Sequence, residues 1–154
     1  MSLSANGARA AFAVVLGASL TMPATAQELL WHTPEKVLEL TGEPSASGSR
    51  ALRLLDHDDA VVAVRVWYPA DTELAPHAHP AGKVALVTVL SGEVELGLGD
   101  EYDAGRLKPV PVGSTVVLRA DDPRHFGRTG PGGVELLLVA APAGAIAPAL
   151  LAGD

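Results

Sequence analysis

His77-Ala78-His79, flanked by Pro76 and Pro80, decides how this chain is read. Two imidazoles two residues apart on an extended segment point to the same side and can grip one metal ion. A third candidate ligand, His125, lies far downstream. Strand-like runs and glycine turns separate them, so the three meet only if a sheet rolls up and brings distant strands together. The expectation is an all-β, small metal-binding barrel.

The surrounding sequence fits that expectation. Residues 60–68 read as a strand apolar on both faces, with Val62, Val64, Val66 and Tyr68 alternating with Val61, Ala63, Arg65 and Trp67. Such a strand is buried on two sides. Residues 84–90, 93–98, 114–119 and 134–140 are further strand candidates, separated by Ser91-Gly92, by Gly97-Leu98-Gly99-Asp100 and by loops dense in Gly, Pro and Asp. Residues 51–55 suit a short strand ended by the polar turn Asp56-His57-Asp58-Asp59, and residues 42–50 suit a loop. Many short strands with hardly any helical pattern indicate a sandwich or barrel, a jelly-roll-like double sheet. Residues 27–39 fit either a short helix or an arm, and the Ala/Pro-rich residues 141–154 fit either a packed arm or a frayed tail.

The N-terminus predicts export. Residues 1–26 carry one charge, Arg9, no acid, an apolar run over 10–20 and the small-residue ending Ala24-Thr25-Ala26, the pattern of a secretory signal peptide cleaved after Ala26. The run is too short and alanine-rich to prefer spanning a membrane. The expected location is periplasmic or secreted, with a mature chain from Gln27 organised as an arm and first strand over 27–59, a barrel over 60–140 and a tail over 141–154. A chain of 154 residues less this leader suits one domain with a real core. The formal net charge of −7 becomes −8 once Arg9 is removed, which argues against nucleic acid or an anionic membrane as partner. There is no cysteine, so thiolate metal sites and cysteine nucleophiles are excluded.

At the level of motifs the chain resembles a small single-domain cupin. The likeness is carried by Pro76-His77-Ala78-His79-Pro80, by residues 87–96 around Ser91-Gly92-Glu93, by Pro111-Val112-Gly113 and by Pro123-Arg124-His125-Phe126. In cupins the His-x-His is followed by an acidic ligand and a turn glycine, and a second motif supplies another histidine. The resemblance therefore implies a cupin barrel with His77, His79 and His125 as ligands. Two departures stand out. The place of the acidic ligand falls on Ala85 counted back from Gly92, or on Lys83 or Val84 counted forward from His79. In the second motif, opened at Gly113, Arg119-Ala120-Asp121 replaces a Pro-x-Gly turn, His125 comes one residue late and Thr129 takes the terminal Asn position. A competing register opened at Gly105 matches Pro111-x-Gly113 but puts Val116 where the histidine belongs.

Three neutral imidazoles leave a divalent ion its full charge and open coordination positions, which suits Fe, Zn, Ni, Cu or Mn rather than oxygen-seeking Mg or Ca. Glu73, Glu93, Glu95, Asp121 and Asp122 are the candidates for a substitute carboxylate, Glu73 foremost because it precedes His77 closely, while Glu93 and Glu95 read as solvent-facing. Lys83 either snorkels to the surface or replaces the metal's charge in a pocket that holds an anion. His32 and His57 read as structural or exposed. Arg65, Trp67 and Tyr68 line a pocket, an interface or the core. Two function classes follow. One is a metal-dependent oxygenase, isomerase or decarboxylase acting on a small oxygen-bearing molecule; the other is a non-catalytic, metal-free cupin that binds a small ligand. A homodimer is expected from the doubly apolar strand at 60–68.

Overall fold

The computed structural model describes residues 30–57, 60–79 and 81–152. The expected leader and its cleavage point after Ala26 lie outside the described residues. Two long strands frame the molecule: β4 (Lys83–Leu98) and β7 (His125–Pro142), which pair antiparallel along most of their length. The first half of β4 and the second half of β7 form one layer, extended by β2 (Val61–Tyr68) and β1 (Arg50–His57) beside β7 and by β6 (Thr115–Leu118) beside β4. Their other halves form the second layer, extended by β3 (Glu73–His77) and β5 (Lys108–Val110). The inward sides of both layers meet in one apolar core of Ala85, Val87, Val89, Val94, Leu118, Val134 and Leu136. The result is an all-β double sheet closed by strands shared between its layers.

The sequence suggested breaks at Ser91-Gly92 and at Gly97–Asp100, and a loop before residue 134. The chain instead runs through the first break and into the first half of the second as continuous strand, and β7 begins at His125. Glycine here bends the strands without reversing them. Gly92 has φ +80° and Gly133 φ +74°, and a Cβ on Gly92 would stand 2.2 Å from the Gly133 carbonyl oxygen. Only glycine at both places permits so close a crossing and the left-handed backbone it needs. Ladder pairing lapses between Gly92 and Val94 while β7 passes through residues 130–133, the corner where each strand changes layer. Thr129 pins this corner. Its hydroxyl donates to the Pro69 carbonyl at 2.7 Å and accepts from the Thr72 N–H at 2.8 Å.

Other elements adjust the reading in detail. Asp56 and His57, expected in a turn, belong to β1, while Asp58 and Asp59 lie outside the described residues. Within the 27–39 stretch, Pro34–Glu39 forms helix α1, capped by the Thr33 side chain accepting from the Lys36 N–H. Within the 141–154 stretch, Ala141 and Pro142 end β7 and residues 143–152 form a packed arm: after a 3-10 turn at Ala143–Ala145, Ile146 buries itself against Val84 and Ala141 before the short helix α2 (Pro148–Leu151). β2 corrects the expectation of burial on two sides, because each of its residues is only half-buried. Val61 is covered by the arm, whereas Arg65 bonds Glu135 and lies 5.2 Å over the Trp67 ring, so a polar cluster shields the rest incompletely.

Candidate metal centre

β3 ends and β7 begins at the same edge of the second layer. His77, last in β3, is the register partner of His125, first in β7, and His125 in turn faces Leu98 at the end of β4. Their rings sit 4.1 Å apart, and the His79 ring stacks on His125 at 5.1 Å with 6° between planes. One ring nitrogen from each of the three lies within 4.8 Å of the others. The pair was expected side by side on one extended segment. His77 instead closes its strand and His79 follows in irregular backbone, yet both still turn toward His125.

The donors are prepared for a cation. His77 Nδ1 lies 2.8 Å from the Ala75 carbonyl, which can only accept, so Nδ1 carries the proton and Nε2 keeps its lone pair. His79 Nε2 is shut off from solvent with no hydrogen-bond partner, a costly arrangement that a bound cation would relieve. Burial, followed by the charges of His77 and His79, pushes His125 down to about 4, and burial and His77 lower His79 as well. Both are therefore neutral donors at pH 7. Nitrogens bonded to one ion at about 2.1 Å stand near 3.4 Å from each other, so small side-chain rotations close the trio. The three histidines could hold a metal ion.

Among the described residues no carboxylate joins this cluster. Glu73 lies opposite Arg128 across β3 and β7, Arg128 donates to Glu95 at 2.6 Å, and Glu93 packs at the corner against Gly130. Asp122 accepts from the Arg119 N–H at 2.6 Å, capping the turn before β7, and Asp121 is exposed beside it. Of the positions proposed for the missing acid, Val84 packs outward with Ala141 and Ile146. Ala85 points into the core and is not among the residues lining the histidine cavity. Lys83, the expected obstacle to a metal, is half-buried at the start of β4 and is not among the residues lining the histidine cavity. His32 is exposed, and His57 sits in β1 opposite Val61.

Behind the histidines lies a cavity of about 60 Å³ walled by apolar side chains such as Leu74, Val87, Leu136 and Leu138, with Tyr68 as its one other polar group among the described residues. Burial raises the Tyr68 phenol above its ordinary range, so it stays protonated. Tyr68 thus belongs to the cavity, whereas Trp67 and Arg65 face outward.

No family model and no curated protein matches the sequence. Solved structures do. The chain is similar to an uncharacterized conserved protein with a double-stranded β-helix domain from Klebsiella pneumoniae, at 25% identity over 71% of this chain and 90% of that one, with a TM-score of 0.53. It is similar to ectoine synthase from P. lautus, at 18% identity over 74% and 78% of the two chains, TM-score 0.52. An RmlC-like cupin from Shewanella frigidimarina superposes at 22% identity over 66% and 82%, TM-score 0.50. The chain has the fold of the cupin superfamily.

Proposed function

We propose that this protein is a metal-binding cupin in which His77, His79 and His125 hold one divalent transition metal, of the set Fe, Zn, Ni, Cu or Mn. The observation that carries the reading is the buried His79 Nε2, without a hydrogen-bond partner, beside two further imidazoles. Such a metal would supply Lewis acidity and open coordination positions for an oxygen-bearing small molecule. The chain's own part is to present neutral imidazoles, to exclude bulk water through the apolar wall, and to hold a phenol proton at Tyr68. An oxygenase, isomerase or decarboxylase reaction fits these means, although one fold hosts many chemistries. Export after cleavage at Ala26 and pairing of two copies through the half-covered outer side of β2 complete the proposal.

Metal analysis and calorimetry on purified protein test it. One equivalent of ion should bind at neutral pH, His77→Ala and His79→Ala should abolish stoichiometric uptake, and His125→Ala should weaken it strongly. Wild-type protein that takes up none of the five metals would overturn the reading in favour of a metal-free binding module.

A further inference from the structure

The histidine cavity is too small for a substrate. At about 60 Å³ it holds a few atoms beyond the site, so the body of any organic ligand must lie elsewhere. The topology supplies the place. β5 and β6 each pair with β4, on opposite sides of its corner, and not with each other. Between them a groove of about 570 Å³ opens, sharing Leu96, Val116, Leu118 and His125 with the inner cavity. His125 therefore stands in the wall of both spaces.

The groove is apolar apart from three charged side chains, Arg106, Lys108 and Asp122, beside His125 itself. Asp122 is committed to the Arg119 N–H. The two cations have no such employment: among the described residues neither forms an ion pair. Lys108 is exposed, is the register partner of Leu96 and shares a strand face with Val110, which packs on the core. Arg106 lies across Gly99, where a Cβ would stand 2.7 Å from its Nη1; Gly99, next to His125's partner Leu98, makes the room. Two unpaired cations on an apolar groove, in a chain of net charge −7, select a ligand with one anionic end and an apolar body. A sugar phosphate or other polyol would leave its hydroxyls without partners on these walls.

We propose that the groove between β5 and β6 binds a small carboxylate with an apolar body, its carboxylate held by Arg106 and Lys108 and its other end directed past Leu96 and Leu118 toward His125. The inference rests on the metal reading only for what meets that other end.

Calorimetry at low ionic strength with hexanoate and 1-hexanol, on protein stripped with chelator and on protein given one equivalent of zinc, tests the assignment. Hexanoate should bind more tightly than hexanol in both forms, by about fivefold for each cation engaged. Lys108→Met and Arg106→Met, which keep an apolar stem, should erode that preference stepwise, Lys108→Arg should retain it, and all three should bind zinc as wild type does. Equal binding of the two probes, no binding of hexanoate, or a preference that survives in the double Met variant overturns the inference. A preference seen only with zinc present does so too, because it assigns the carboxylate to the metal. Failure of wild type to bind zinc bears on the metal reading alone and leaves the hexanoate comparison on the stripped protein decisive.

Discussion

His125 shows how one residue's surroundings set its chemistry. Its folded pKa of about 4 lies below the ordinary imidazole value near 6.5, so the unfolded chain holds more protons between those two limits. The stability this contributes is complete above pH 6.5 and drains away as pH falls toward 4, by up to about 3 kcal/mol. Metal-free wild type should therefore lose more melting temperature than His125→Gln between pH 7 and 4.5; parallel curves would refute the assignment. The same shift moves proton competition for His125 and His79 to lower pH than free imidazole would suffer. Ala85 offers a gain-of-function check: Ala85→Glu, on the inward side of β4, should tighten zinc binding, and calorimetry alongside Lys83→Glu reads which of the two positions faces the ion. The histidine trio was legible in the sequence because a His-x-His pair advertises itself. Which of residues 83 to 85 faces inward was not legible, since that depends on strand phase fixed by the distant corner. Arg106 and Lys108 left no signal, because Lys108–Val110 is too short for alternation to show.

At the scale of elements the sequence located β1, β2, β4, β6 and the second half of β7, missed β3 and β5 as strands, and misjudged several ends. Glycines that would ordinarily terminate a strand sit here at a corner where two backbones nearly touch, and nothing local to Gly92 reveals that Gly133 lies against it. Gly92→Ala and Gly133→Ala should each cost more than the about 1 kcal/mol of an ordinary glycine replacement, through both the positive φ and the collision. Urea denaturation reads this; wild-type midpoints would dissociate the bend from these glycines. Gly97 makes a different test. Its missing side chain admits the Phe126 ring, fully buried beside Tyr102, and a Cβ would stand 2.5 Å from that ring. Gly97→Ala should thus lower stability while leaving the outward-facing Glu95–Arg128 pair intact. Thr129, in the place where the cupin motif has Asn, holds the corner by its hydroxyl bonds to the Pro69 carbonyl and the Thr72 N–H.

For the molecule as a whole, composition announced an acidic chain and strand patterning an all-β fold, and packing decided the rest. The apolar alternation of β2 promised two covered faces, yet one chain covers the outer one only partly, because the arm through Ile146 reaches Val61 and stops. Light scattering at micromolar concentration should report a dimer that a charge on the outer side, Ala63→Asp, disrupts; a wild-type monomer would count against pairing there. Mass spectrometry of protein recovered from its native host should find Gln27 at the N-terminus if export follows the leader. Finally, β4 and β7 each run through both layers. Neither layer owns a complete set of strands, so neither can detach and survive by itself. Amide exchange should then find no partly opened form in which one layer keeps its protection and the other has lost it. A single proteolytic nick in the Gly92 corner would disable both layers together, whereas a nick in the Pro111–Ser114 turn would free only one short strand.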